Sequence, residues 1–396
     1  MNILILSAVF PPEPIVSSKL SFDIANALSE KNAVTVLSPK PSRPFGFQFK
    51  SDSLNFKFEH IHSNTYTCPS SSIIGRFRES YSFGKCIYNY ITANHKNIDI
   101  IYANVWALFS QYYVVKTAKK YNVPIVIHVQ DIYPESLTNK IPVIRPLINL
   151  LWLPIDKYVL RNSTKVIAIS DKMKMYLVNT RNLETKKVSV VQNWQDEELF
   201  IRYDLHKESI QKNGMTFTFM YLGNIGPVAG VELLIDAFSM VKIENCRLVI
   251  AGSGSMKELL EKKVKDLVNN NIEFWDVPDG KVPEIQSYAD IMILPIKKGS
   301  ASSSVPSKLP AYMFSKKPII ACVDSDSDTA SAINSANCGW VLAPEDSVSL
   351  SEKMEYIASL STEVLEEKGE NGFKYALTNY SKKNNLLKLT TIIMNS

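Results

Sequence analysis

What this 396-residue sequence lacks narrows it first. Its five cysteines (Cys68, Cys86, Cys246, Cys322, Cys338) are odd in number, widely spaced and never in a C-x-x-C pair. That argues against both a disulfide framework and a zinc site, and a reducing compartment is expected. Histidine is equally scarce, with five residues, so chemistry that needs several imidazoles is disfavoured. The opening MNILILSAVFPPEP has no basic n-region and too short an apolar run for a signal peptide before Pro11 and Pro12. It reads as a buried strand and predicts a cytoplasmic protein. No dense Lys/Arg block marks a nucleic-acid face, and the net charge of +5 is mild. No fixed-period repeat or low-complexity tract is present.

What is there is the composition of a soluble globular protein, 45% apolar and 21% charged. The length exceeds that at which single cores stop growing, so two domains are expected. Short runs rich in Ile and Val alternate with amphipathic stretches, the signature of parallel strands covered on both faces by helices. Strands are expected at 2–7, 33–38, 98–103, 124–128, 165–169 and 188–191, and again at 216–222, 246–251, 272–275, 291–294, 318–322 and 339–342. The class is α/β, with two doubly wound domains. The first is placed at 1–201 and the second at 215–374. The polar stretch 202–214 (RYDLHKESIQKNG), without apolar periodicity, is the expected linker. A helix over 375–393, within the last stretch 375–396, is expected to pack back on the first domain.

Segment 141–160 (IPVIRPLINLLWLPIDKYVL) is apolar over about one membrane thickness, yet holds Arg145, Asp156, Lys157 and three prolines. It does not span a bilayer. It reads either as a core helix of the first domain or as a peripheral anchor burying Leu151, Trp152 and Leu153 among anionic headgroups.

The stretch 297–313 (KKGSASSSVPSKLPAYM) follows an expected strand and leads into a helix beginning near Pro306. A helix start with free amides at the carboxyl end of a parallel strand is a ready phosphate site. Lys308 in the first turn opposes the helix dipole, which an anion would offset. A diphosphate among Lys308, Ser303, Ser304 and the amide of Ser307 would do so, with Val305 beside them; a solvated lysine and flexible serines are the bland reading. Gly223 and Asn224 open a second strand-to-helix loop, and Gly252, Ser253 and Gly254 a third, with Val277 after the next strand. Ligands of open α/β sheets bind along that edge. These residues form the donor-side set.

In the first domain Phe10 to Lys19 (FPPEPIVSSK) follows the first strand and precedes a helix expected near Ser18. Ser17, Ser18 and Lys19 offer donors and Glu13 an acceptor for sugar hydroxyls, although helix capping by Ser17 or Ser18 explains the serines equally well. Asn104 and Glu135 complete the acceptor-side set. At 128–135 (HVQDIYPE) a strand end carries His128 and Asp131. The strand alternation turns His128 inward, so Asp131 is the expected acid, base or sugar-orienting group. The run Asp324-Ser325-Asp326-Ser327-Asp328 fails the calcium-loop template, with Thr329 and Ser335 where glycine and glutamate belong. Asp326 or Ser327 is expected to cap the next helix, and no metal is expected.

In order and spacing the motifs FPPEP, DIYPES at 131–136, IAIS at 167–170, VVQNWQDEELF at 190–200, YLGNIG at 221–226, LVIAGSGS at 248–255, YADIMILPI at 288–296, VPSK and PIIA at 318–321 resemble glycosyltransferase family 4 over essentially the whole chain. The nearest branch is the one that builds bacterial O-antigen, capsule and related polysaccharides. The resemblance implies the GT-B architecture, two Rossmann-like domains facing each other across a cleft. It also implies a nucleotide-sugar donor held mainly by the second domain, transfer with retention to a saccharide or polyprenyl-diphosphate-linked acceptor, and no cofactor or metal for the diphosphate. Asp131 and Lys308 would carry the catalysis. Two departures stand out. Asn224 and Ala229 replace an Arg/Lys pair, and Ser303 and Ala311 replace two glutamates that hold donor sugar and ribose in many members. Lys308 then takes a larger share of the diphosphate charge. Two alternatives keep the fold, a nucleotide-sugar epimerase and a non-catalytic member of a polysaccharide assembly complex.

Overall fold

The computed structural model describes residues 1–43, 49, 56–69, 72–138, 145–206, 216–267, 271–299 and 306–396. They form two compact units, one of Met1–Asn193 with Asn385–Ser396 and one of Trp194–Asn384.

Unit 1 runs β1 (Asn2–Ser7), α1 (Val16–Ser29), β2 (Ala33–Pro39), β3 (Glu59–Ser63), α2 (Ile73–Asn94), β4 (Ile100–Asn104), α3 (Phe109–Tyr121), β5 (Ile125–Val129), α4 (Glu135–Thr138), α5 (Arg145–Asn162), β6 (Lys165–Ala168), α6 (Asp171–Arg181) and β7 (Val188–Val190). Its sheet has the order β3-β2-β1-β4-β5-β6-β7, every pair parallel. The central strands β1, β4 and β5 are buried nearly throughout, as expected of strands covered on both faces. On one face Leu4, Leu6, Ile101, Ile127 and Val166 meet Phe83, Val114 and Val159 from α2, α3 and α5. Each such side chain contributes about 1.5–3 kcal/mol by leaving water. Ser72 and Ser170 cap α2 and α6 by accepting from the Gly75 and Met173 amides. Each cap is worth about 1 kcal/mol.

Unit 2 runs α7 (Glu197–His206), β8 (Phe217–Leu222), α8 (Glu232–Phe238), β9 (Cys246–Ala251), α9 (Lys257–Lys265), β10 (Ile272–Trp275), α10 (Val282–Ser287), β11 (Ile291–Pro295), α11 (Lys308–Phe314), β12 (Ile319–Cys322), α12 (Asp328–Ala336), β13 (Gly339–Leu342), α13 (Ser347–Ala358) and α14 (Thr362–Asn379). Its parallel sheet has the order β10-β9-β8-β11-β12-β13. Ser327 caps α12 through the Ala330 amide, and Asp346 caps α13 through that of Ser349. The last helix, α15 (Lys382–Met394), begins in unit 2 and ends in unit 1.

In both sheets the order reverses beside the first strand, between β1 and β4 and between β8 and β11. At such a switch point adjacent crossovers lie on opposite faces, and the carboxyl ends of the two strands open a crevice.

Several expectations need correction. The polar stretch from Arg202 is helical as far as His206, in α7, and 207–214 lies outside the described residues. The compact units part at Asn193 and Trp194, earlier than the expected limit at 201, because Trp194, Glu197 and Phe200 already pack in unit 2. The expected helix over 375–393 is interrupted. Here α14 ends at Asn379, and buried Glu197 accepts from Ser381 Oγ and the Lys382 amide to start α15. The sequence reading passed over β3. Helix α1 begins at Val16 rather than Ser18, and α11 at Lys308 rather than Pro306.

Candidate functional site

At the switch point of unit 2, β8 leads into the turn at Gly223 and β11 into the loop before α11. The first turn of α11 brings Lys308 against Gly223 so closely that a methyl group there would overlap Lys308 Cε. The Lys308 ammonium lies 5.4 Å from the Tyr221 ring centroid. Burial lowers its pKa below the usual lysine value, and no neighbouring carboxylate raises it again. Among the described residues Lys308 makes no hydrogen bond or ion pair.

The walls around it are rigid. Tyr312 Oη donates to the Leu222 carbonyl at 2.8 Å and accepts from the Leu222 amide at 3.0 Å. Tyr221 Oη donates to the Asn224 carbonyl at 2.6 Å. The Ile225 amide donates to the Ser253 carbonyl, and the Met256 amide to the Ile225 carbonyl. Gly252, at φ +131, and Gly254 are explained by this packing, since a Cβ at either would collide with the carbonyls of Gly223 and Ile225. Asn224, Ser253 and Ser307 are exposed, and Val277 is half-buried against the core. The Ser307 side chain does not cap α11. Ser303, Ser304 and Val305 lie outside the described residues. The sequence reading gave Tyr221 and Tyr312 no role in the site, yet their hydrogen bonds fix the turn at Gly223 against which Lys308 packs.

In unit 1 Asp131 stands exposed just past the end of β5, whereas His128 is buried within the strand. His128 Nδ1 is 2.6 Å from Tyr102 Oη, and its Nε2 is 3.1 Å from Gln130 Nε2, while Gln130 Oε1 accepts from Asn193. Desolvation pushes the His128 pKa down to about 3, so the ring is neutral.

Glu135, expected on the acceptor side, is committed elsewhere. It receives two guanidinium hydrogen bonds from buried Arg181, at 2.8 and 2.7 Å, and one from Tyr176. Asp156 takes the Arg181 Nε–H at 2.6 Å. A guanidinium deprived of water requires such partners, and its charge and hydrogen bonds hold the Glu135 pKa low against burial. Glu13 is likewise buried, and its Oε1 accepts from the Ser42 and Arg43 amides at 2.7 and 2.9 Å. Ser17 is half-buried, Ser18 buried and Lys19 exposed on α1, and neither serine caps it. Asn104, half-buried at the end of β4, accepts the Ala8 amide with its carbonyl.

Comparison with known proteins fits this arrangement. The profile described as "Glycosyltransferase Family 4" matches residues 19–199, and the one described as "Glycosyl transferases group 1" matches residues 203–375. A curated relative, "Probable glycosyltransferase WbjE" of Pseudomonas aeruginosa, is 22% identical over 248 residues, 59% of this chain. The match spans 60% of that protein, under two thirds of its length. Among solved structures, Anabaena Alr3699/HepE in complex with UDP superposes with a TM-score of 0.72 at 15% identity, covering 100% of both chains. WaaG, a glycosyltransferase involved in lipopolysaccharide biosynthesis, gives 0.67 at 15%, again over 100% of both. At such identities the likeness carries the fold, which is of the GT-B kind.

Proposed function

The chain belongs to glycosyltransferase family 4, and from that premise we propose that it transfers a sugar, with retention, from a UDP-sugar to a lipid-linked saccharide during assembly of a bacterial surface polysaccharide. One observation carries the donor half of this reading. Lys308 is a half-buried cation at the switch point of unit 2, with no counter-charge among the described residues. Its ammonium neutralises the diphosphate that accumulates charge as the glycosidic bond breaks, with exposed Ser307 next to it in the chain. No metal ion is needed for that step. Donors fixed before the reaction stabilise developing charge at little reorganisation cost, commonly by several kcal/mol. The UDP complex of HepE supports the choice of nucleotide, the name of WbjE supports glycosyl transfer, and the part of WaaG in lipopolysaccharide biosynthesis supports a sugar-polymer pathway.

Unit 1 takes the acceptor, with Asp131 orienting the sugar or drawing the hydroxyl proton. The epimerase alternative loses ground, because His128, the one imidazole at a promising strand end, is buried and neutral. We place the protein on the cytoplasmic face of the membrane, with the apolar face of α5 touching the lipid.

The test is a calorimetric titration of UDP into the wild type and Lys308→Ala, first without divalent metal and then with magnesium. Metal-free binding weakened at least about tenfold by Lys308→Ala supports the reading, as expected for loss of a charge-assisted contact. Binding that appears only with magnesium, or that Lys308→Ala leaves unchanged, removes the diphosphate role from Lys308.

A further inference from the structure

At the switch point of unit 1 several buried polar atoms have no hydrogen-bond partner among the described residues. The loop after β1 carries Glu13, which is 5% exposed, and the loop after β2 carries Arg43, which is 7% exposed. The loop after β4 carries Trp106, and the first turns of α2 carry Arg76 and Glu79. They are directly linked. Glu13 Oε1 accepts the Arg43 amide, Arg43 Nη2 donates to both oxygens of fully buried Glu79 at 2.8 and 2.6 Å, and the Arg43 and Arg76 guanidinium carbons lie 4.8 and 4.5 Å from the Trp106 ring centroid.

Within this cluster Glu13 Oε2, Arg43 Nε and Trp106 Nε1 are buried and, among the described residues, have no hydrogen-bond partner. Ser18 Oγ, in the first turn of α1, is a fourth such atom. Each unpaired group costs about 1–3 kcal/mol, so three in one linked cluster call for a cause. A separate feature lies in the same place. Leu108, two residues beyond Trp106, has φ +62° and ψ −103°, a conformation that costs a bulky residue about 1–3 kcal/mol. Strain and an unmade hydrogen bond on the loop after β4, linked to two more unmade hydrogen bonds on the loops after β1 and β2, are the marks of a prepared site.

The charge tells what it receives. Two guanidiniums, Arg43 and Arg76, are matched by two carboxylates, Glu13 and Glu79, so the cluster offers no net positive charge to a phosphate. Its spare capacity is two N–H donors and a carboxylate acceptor, which suits hydroxyl groups that both accept and donate.

We propose that this cluster is the subsite for a neutral sugar ring of the acceptor, with Arg43 Nε–H and Trp106 Nε1–H donating to ring hydroxyls and Glu13 Oε2 accepting from one. The proposal rests on unit 1 being the acceptor side. It assigns the acceptor's diphosphate to some other surface.

The indole N–H signals of the five tryptophans, read in ¹⁵N-labelled full-length protein and assigned by single Trp→Phe variants, provide the test. The probes are methyl β-D-glucopyranoside, methyl β-D-galactopyranoside, methyl N-acetyl-β-D-glucosaminide, methyl α-L-rhamnopyranoside and inorganic pyrophosphate. At least one glycoside is expected to move the Trp106 signal saturably. Its affinity is expected to fall roughly tenfold in Glu13→Gln, and in Trp106→Phe as read by saturation transfer to the ligand. Trp106→Phe keeps an aromatic ring beside Arg43 and Arg76 while removing the donor together with part of the indole's volume, and the other four indole signals report its folding. A response to pyrophosphate but to no glycoside overturns the proposal in favour of an anion site, and a Trp106 signal that no probe moves overturns it in favour of a site filled by water. UDP is added separately. It is expected to move Trp275, whose carbonyl accepts the Gly252 amide, so a silent Trp275 beside a responsive Trp106 sinks the donor assignment and leaves this one standing.

Discussion

Lys308 shows how a single side chain joins sequence, packing and function. Gly223 supplies the space, the Tyr221 ring supplies a weakly attractive face, and burial lowers the lysine pKa. In the unfolded chain Lys308 holds its proton to the ordinary lysine range, whereas in the fold it releases it at lower pH. The unfolded state therefore binds more protons across that alkaline window, and the lysine's contribution to stability rises with pH. Binding of a diphosphate runs the opposite way, since it needs the ammonium. UDP affinity is accordingly expected to fall as pH rises through the lowered lysine value. Uracil also ionises in that range, so the comparison protein is Lys308→Arg, which shares the uracil contribution and keeps its charge. A titration series with steeper loss in the wild type supports the anion role, and parallel curves for the two proteins deny it. Lys308 was legible in the sequence because a lysine in a helix's first turn conflicts with the dipole. Arg43 and Trp106 were not, because their significance is the absence of a partner, which only coordinates reveal.

At the level of elements, the Ile- and Val-rich strands could be read to within a residue or two, because burial on both faces leaves few alternatives. The exception, β3 (EHIHS), is an edge strand with a half-buried His60, an exposed His62 and no apolar run to announce it. Helix α7 was hidden by its charge, yet Phe200 packs against Phe314 and holds it in place. Within segment 141–160 the described residues form most of α5. Ile148, Val159 and Leu160 of α5 face the core, as a core helix requires. Pro146, Leu147, Leu150, Leu151 and Pro154 nevertheless form an exposed stripe without a charge, Leu150 being 73% exposed, and exposed Ile74 lies on α2. Among the described residues no helix is long and apolar enough to cross a membrane. The anchor alternative sent Trp152 to the lipid, but it packs on Phe77 at 4.7 Å and stacks on Tyr133 at 6.1 Å. A change at Trp152 would therefore disturb the protein itself. The cleaner variant is Leu150→Asp with Leu151→Asp, which alters exposed positions only. Co-sedimentation with anionic vesicles is expected to drop at least about tenfold, since two buried leucines are worth about 3–6 kcal/mol in lipid. Undiminished sedimentation of a folded double variant would rule out α5 as the anchor.

Over the whole molecule, the repeated alternation of strand and helix announced two doubly wound units, and the strand orders bear that out. The division between them was harder to read, because no local composition records that a chain leaves a unit at Asn193 and returns to it at Asn385. The return is an energetic matter. Leu389 and Ile393 on α15 are fully buried, and Asn385 nearly so, in a segment belonging to unit 1. Removing residues 385–396 withdraws two apolar side chains from that unit, at about 1.5–3 kcal/mol each, together with the cavity they leave. Such a loss is a large fraction of a domain's net stability. The truncated protein is expected to unfold unit 1 at markedly lower urea, followed by Trp106 and Trp152 fluorescence in variants whose other tryptophans are phenylalanine. Unit 2 keeps its entire sheet and the Lys308 loop, so UDP binding in the absence of urea is expected to persist within about threefold, a change under 1 kcal/mol. An unchanged midpoint for unit 1 would show that the returning helix adds nothing to its stability. Loss of UDP binding together with unit 1 would show that the two compact units do not unfold separately, and the donor site would then depend on a segment that shares none of its residues.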